Sequence, residues 1–178
     1  KRTSLTPQQM EMTELVWQSS EILERQLSDI LDISKVEAGK LELDRSACNV
    51  SSLIKTIFDL NSPVAEEKSI DYSLDVAKEC QGYYLADPVR LKQIMSNLIT
   101  NAIKFTETGG VLVDLFTCRQ NETLVIDITD SGPGLSDEAQ SRLFSAFEQA
   151  EARHRGIDGG VGLGLTIVKR LVDAMGGD

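Results

Sequence analysis

The sequence predicts an α+β protein: a two-layer α/β sandwich, with helices on one face of a mixed sheet, preceded by a long helix of the kind that packs in a bundle. Three observations predict it. An apolar stripe at helical spacing runs without Gly or Pro from just after Pro7 to Ala38. Short runs further on alternate apolar and polar residues at period two. Between and after those runs lie helical stretches, so that strands pair as neighbours and helices cover them.

The first element begins at Thr6-Pro7, a cap residue followed by proline at the first helical position, where its missing N–H costs nothing. Val16, Leu23, Leu27 and Ile30 recur at steps of seven, four and three, flanked by Leu15, Ile22 and Leu31. One helix cannot bury that stripe alone, and the pattern asks for partner helices, as in a four-helix bundle. Gly39 supplies the stop. A domain boundary is expected in the link that follows, giving domains of residues 1–39 and 40–178. An amphipathic helix is predicted over residues 51–60, capped by Asn49 or Ser51. Ile70, Tyr72, Leu74 and Val76 alternate as a half-buried strand, and Asp87-Pro88 opens a helix through Leu91, Ile94, Met95, Leu98 and Ile99. Residues 111–118 form one strand and Leu124, Ile126 and Ile128 mark the next, joined by a hairpin at Arg119-Gln120-Asn121. A turn at Gly132 to Gly134, a helix near residues 136–147, a polar loop and a last helix from about Leu163 to Met175 complete the chain.

The formal charge of −10, from 18 basic and 28 acidic side chains, disfavours a general nucleic-acid or anionic-membrane surface, so an anionic ligand needs a local site. Cys48, Cys80 and Cys118 share no short spacing and read as small buried hydrophobes of a reducing, cytoplasmic compartment rather than a disulfide framework or zinc site. No apolar run approaches the roughly 20 residues that span a bilayer. Periodicity goes no further, and it leaves enzymes, binding modules and scaffolds all open.

Four signals carry chemistry. In Asn97-Leu98-Ile99-Thr100-Asn101-Ala102-Ile103-Lys104-Phe105-Thr106, Asn97, Asn101 and Lys104 stand four and three apart, so two amides and an ammonium share a helix face. An amide oxygen suits Mg²⁺ and an ammonium suits phosphate, although a solvated polar face would look the same. Asp130-Ser131-Gly132-Pro133-Gly134 follows an alternating strand; its glycines allow close backbone approach and its carboxylate accepts from an exocyclic amine, unless it is an ordinary turn. Gly159-Gly160-Val161-Gly162-Leu163-Gly164-Leu165 leads into the last helix, where glycines and free N–H groups make an anion site. No Gly-Lys-Ser/Thr follows and no strand comes just before, so it is neither a P-loop nor a dinucleotide fingerprint. Phe144 and Phe147, three apart, are as readily core as ligand contacts.

In this order the four segments resemble the N box, first glycine box, F box and second glycine box of the histidine kinase catalytic domain. Residues 28–41 are similar to the end of that family's second dimerisation helix, and Ala86-Asp87-Pro88-Val89-Arg90-Leu91 to the segment before its N box. The style of the segments is nearest to hybrid sensor kinases.

The resemblance implies a histidine kinase ATP-binding fold and a protein-histidine kinase of a two-component phosphorelay, with ATP and Mg²⁺ as cofactors. It implies nucleotide contacts from Asn97, Asn101, Lys104, Phe105, Asp130, Gly132, Gly134, Phe147, Gly160, Gly162, Leu163, Gly164 and Leu165. Asn101 would ligate the metal, Lys104 meet phosphate and Asp130 recognise the adenine amino group. Residues 148–158 would be a lid over ATP, in which Arg153 and Arg155 reach the γ-phosphate or are simply solvated charges. His154, the only histidine, falls in that lid, so the phosphoacceptor is expected upstream and the chain by itself should not phosphorylate itself at the usual site. The implied partners are a response-regulator receiver domain and a second copy of the parent protein, with no nucleic acid and no membrane contact. Two departures stand out: Val161 replaces a hydroxyl residue common in relatives, and the chain stops at Gly176-Gly177-Asp178 where the family usually adds a hairpin.

Two other readings compete. ATPases of the topoisomerase, heat-shock chaperone and mismatch-repair groups share the ancestry, but they place a glutamate where this chain has Asn97, and an amide is no general base near neutral pH. A regulatory module that has lost ATP binding would be expected to lack the asparagine or the glycines.

Overall fold

The protein is described here by a computed structural model, over residues 5–118, 123–144 and 163–178. Two units divide between Leu41 and Glu42. The first is dominated by helix α1 (Pro7–Glu37). Its start is a reciprocal capping box: the Thr6 hydroxyl accepts from the Gln9 N–H at 3.2 Å, and the Gln9 amide oxygen accepts from the Thr6 N–H at 2.9 Å. At the other end Ala38 caps and Gly39, at φ +62°, turns the chain out, where a side chain would be strained. The predicted stripe is there and it is exposed: Val16 66%, Leu23 57%, Leu27 53% and Ile30 47%.

The second unit runs β1 (Ser46–Cys48), α2 (Val50–Glu67), β2 (Asp71–Val76), a 3-10 turn (Lys78–Cys80), β3 (Tyr84–Ala86), α3 (Pro88–Phe105), β4 (Gly110–Cys118), β5 (Thr123–Asp130), α4 (Asp137–Arg142) and α5 (Gly164–Met175). The three longer strands form a mixed sheet in the order β2-β4-β5, with β2 parallel and β5 antiparallel to β4. On β4 the pleat buries Val111, Val113 and Leu115 and exposes Leu112 and Phe116, so one face of the sheet is covered. The cover is α2 and α3: Ile54 and Ile57 from α2, and Met95, Ile99 and Ile103 from α3, share one core with that β4 face. Each such side chain contributes about 1.5–3 kcal/mol by leaving water. Phe58 stacks on Tyr72 with centroids 4.1 Å apart, tying α2 to β2. Cys48 and Cys80 are buried thiols within this core, and burial pushes both thiols above their ordinary titration range.

Several boundaries differ from expectation. The helix expected over residues 51–60, capped by Asn49, continues to Glu67 through Asn61, Ser62 and Pro63, which are poor helix formers. Tertiary burial wins, because Ala65 in the added turns is buried in the core, and the Asn61 amide and Ser62 hydroxyl return their hydrogen bonds to the carbonyls of Ile57 and Phe58. The helix expected near residues 136–147 is regular only over Asp137–Arg142; its residues beyond 144, like the hairpin at 119–121, lie outside the described residues. The antiparallel pair β1-β3 was not expected, since three residues are too few to show alternation. It has a use. It delivers the chain to Asp87, a buried carboxylate that caps α3 by accepting from the N–H groups of Val89 and Arg90 at 3.0 and 3.1 Å and from that of Asp44 at 3.0 Å.

Candidate functional site

The candidate site is assembled from one helix face, one strand end and one helix start. On α3 the residues Leu91, Ile94, Met95, Ile99 and Ile103 face the core, which leaves Asn97, Asn101 and Lys104 together on another face, all half-buried. The helix stops at Thr106, fully buried, whose hydroxyl donates back to the Ala102 carbonyl at 2.8 Å. Near that end the Lys104 ammonium lies 5.6 Å from the centre of the Phe105 ring, within cation–π reach.

At the end of β5 the exposed Asp130 carboxylate accepts from the Gly132 N–H at 2.8 Å, leaving its other oxygen for a ligand. Gly132 suits a crowded place: a Cβ there would stand 2.7 Å from Asp130 Oδ1 and 3.1 Å from the Phe105 carbonyl oxygen, so both would have to give way. That close approach brings the turn and the end of α3 together, so Asn101, Lys104, Phe105, Asp130 and Gly132 belong to one locality. Gly134 follows in the same turn, exposed. Ser131, for which no local pattern signals a role, fastens the turn: its hydroxyl accepts from the Gly110 N–H at 2.8 Å and donates to the Thr108 carbonyl at 2.9 Å.

The third part is the start of α5. Leu163 is buried, precedes the first helical residue, Gly164, and contributes no side-chain cap, so among the described residues the leading N–H groups keep their partial positive charge. Gly164 lies against Asn97, since a Cβ on it would be 3.8 Å from the Asn97 amide carbon, an ordinary contact. Among the described residues two buried polar atoms of α3 and α5, Asn97 Nδ2 and Thr166 Oγ1, have no hydrogen-bond partner. Leaving such atoms unpaired costs about 1–3 kcal/mol each. Leu165 follows in the first turn, half-buried.

Among the described residues no cluster of three or more His, Cys, Asp or Glu is placed to hold a metal ion. Mg²⁺ does not need one, because it takes one or two protein oxygens and fills its octahedron with phosphate oxygens and water. The Asn101 amide oxygen, one turn along α3 from Asn97, is a ligand of that type. Phe147, Gly160 and Gly162 lie outside the described residues, as do Val161 and the segment 148–158 with Arg153, His154 and Arg155. Phe144 is described and is 47% exposed, so it is not core among these residues. Among the described residues no helix is long and apolar enough to cross a membrane.

Comparison with known proteins points the same way as the geometry. Residues 86–178 match the family described as histidine kinase-, DNA gyrase B- and HSP90-like ATPase. The chain is 38% identical over 181 residues to the sensor histidine kinase GacS of Pseudomonas protegens, covering 100% of this chain and 20% of that protein. It is 37% identical over 180 residues to the signal transduction histidine-protein kinase BarA of Escherichia coli K12, covering 99% of this chain and again 20% of the relative. It therefore spans about a fifth of the length of these relatives. Among solved structures, full-length ShkA in complex with AMPPNP superposes with a TM-score of 0.80 at 34% identity, over 98% of this chain and 35% of that one. The Acinetobacter baumannii histidine kinase AdeS shares the fold, with a TM-score of 0.72 at 23% identity.

Proposed function

The chain belongs to the histidine kinase-, DNA gyrase B- and HSP90-like ATPase family, in the company of sensor histidine kinases, and from that premise we propose that its second unit seats Mg·ATP for phosphoryl transfer to a histidine upstream of these residues. The observation that carries the reading is the junction of α3 and α5, where Gly164 at the helix start lies against the Asn97 amide and, among the described residues, the buried Asn97 Nδ2 and Thr166 Oγ1 have no hydrogen-bond partner. Such a place favours a polyanion.

Each residue then has a task. Asp130 accepts from the adenine amino group with the carboxylate oxygen that Gly132 does not use. Gly132 and Gly134 keep the turn low so that the ring can enter, and Phe105 borders the same locality. Lys104 supplies positive charge to the phosphates, and the N–H groups at Gly164, Leu165 and Thr166 receive phosphate oxygens at the start of α5, which Leu163 anchors by its burial. Asn101 would hold Mg²⁺ through its amide oxygen; when bound, the ion neutralises charge on the phosphate oxygens. Phe147, Gly160 and Gly162 are proposed to complete the pocket. In the transfer, the bond between the γ-phosphorus and the bridging oxygen to the β-phosphate breaks, a bond from phosphorus to an imidazole nitrogen forms, ADP leaves, and an acidic neighbour of that histidine takes the imidazole proton. Relay to a receiver aspartate and pairing of the parent protein through α1 and its neighbours belong to the same proposal, as does a cytoplasmic setting.

Hydrolysis is the competing chemistry, and Asn97 speaks against it. Its amide cannot take a proton from water near neutral pH, and its nitrogen is buried. The test is calorimetric titration of the folded chain with ATP and Mg²⁺, in which saturable binding is expected. Asp130→Asn should weaken it by about 10- to 100-fold, the worth of a hydrogen bond to a charged acceptor. Absence of saturable binding would refute the proposal.

A further inference from the structure

We infer that Lys68, which lies outside every motif of the site, is a positioning residue for it: its ammonium clamps the last turn of α3 and so sets where Asn101, Lys104 and the Asp130 turn stand. The inference rests on the nucleotide reading of that site.

An α-helix ends with carbonyls that have no partner inside the helix, and a cation is the favoured partner there. Lys68 Nζ donates to the carbonyls of Ile103 at 2.6 Å, Lys104 at 2.8 Å and Thr106 at 2.9 Å. An ammonium has three N–H donors, and all three are used on one turn of backbone. These are charge-assisted bonds, stronger than neutral ones, at a half-buried position where water competes less.

Lys68 is itself held. It caps the C-terminus of α2, its N–H bonding to the Val64 carbonyl, and the next residue, Ser69, sits at φ +56° while Ile70 bonds back to Ala65. A non-glycine residue in the left-handed region carries a local energetic cost, so this turn is fixed by its surroundings rather than by its own preference.

The clamped turn is also the one that touches the other half of the site. The Phe105 carbonyl, between two clamped carbonyls, is the backbone group against which Gly132 packs closely: a Cβ there would stand 3.1 Å from its oxygen. Just beyond, Ser131 ties the same loop to the end of β5 through Thr108 and Gly110, and the Asp71 N–H reaches the Gly109 carbonyl at 2.8 Å. A shift of residues 103–106 would thus move Lys104 and push against the turn that carries Asp130. Three bonds from one ammonium to this single turn fix its direction as well as its end.

The experiment uses the full 178-residue chain. Lys68→Met keeps the aliphatic stem and removes the charge, and Lys68→Arg restores a cation. Ile57→Val, a change in the α2 core far in sequence from the site, is the control for lost stability alone. ATP affinity is measured by calorimetry, and amide exchange is followed over residues 101–106. Lys68→Met should bind ATP at least tenfold more weakly and exchange faster over that turn, Lys68→Arg should recover most of both, and Ile57→Val should lower the melting temperature and leave affinity unchanged. Wild-type affinity in folded Lys68→Met overturns the inference alone, as does an equal loss of affinity in Ile57→Val. Failure of the unmodified chain to bind ATP overturns the nucleotide reading and this inference with it. If Lys68→Met does not fold, Lys68→Gln is read by the same criteria.

Discussion

Helices α1 and α3 start alike and end differently. Both have a capping side chain followed by proline, and both carry an apolar stripe at helical spacing. On α3 the stripe is gone from water, with Ile99 at 0% and Met95 at 1% exposure; on α1 Leu23 and Leu27 stay at 57% and 53%. The difference teaches that capping and periodicity specify a helix, whereas burial depends on what stands opposite. The sheet stands opposite α3. The helix that bears the site is thus held by its own unit, and α1 keeps an exposed apolar face.

Substitution in the two stripes should separate them most sharply. Ile99→Ala is expected to cost about 2–5 kcal/mol in chemical denaturation of the chain, because it opens a cavity among packed side chains. Leu23→Ala should stay within about 0.5 kcal/mol, as an exposed site does. Similar losses at both positions would mean that α1 is packed as tightly as α3, and the contrast would fall.

The caps give a smaller effect of the same kind. Asp87→Ala removes a buried carboxylate and leaves three part-buried N–H groups without their acceptor, and should cost about 2–3 kcal/mol. Thr6→Ala, at an exposed box, should cost about 1 kcal/mol and show mainly as fraying in the circular dichroism of the helix. Equal costs would make the two helix starts equivalent after all.

The smallest expected effect is association through α1. A single exposed stripe retains a drive of about 25 cal/mol per Å2 of apolar surface, but Thr13, Ser20 and Ser34 interrupt it, and all three hydroxyls hydrogen-bond to their own helix backbone. Light scattering over a dilution series should find mostly monomer with weak, concentration-dependent pairing that Leu23→Lys abolishes. A dilution-resistant dimer would show that the stripe makes a complete seam with a second copy.

Much of this was legible beforehand because it is local. Thr6-Pro7, Asn49 and Asp87-Pro88 announce helix starts whose side chains bond to N–H groups two or three residues on. The α3 face of Asn97, Asn101 and Lys104 follows from helical spacing alone. Two elements resisted for opposite reasons. Residues 61–63 read as a helix end by propensity and were carried past it by the burial of Ala65, while Ser46–Cys48 and Tyr84–Ala86 were too short to show a period.

By itself, then, the sequence determined the long first helix and its stripe, the alternation of the main strands, and the order of the segments that carry chemistry, since each is written in spacings of a few residues. Only the tertiary structure decided that the Phe105 carbonyl meets Gly132, that Gly164 lies against Asn97, and that Lys68 reaches the end of a helix 35 residues and more away. Those contacts join residues far apart along the chain, and nothing in a local pattern records which backbone carbonyl a distant ammonium will find once the sheet and its covering helices have closed around it.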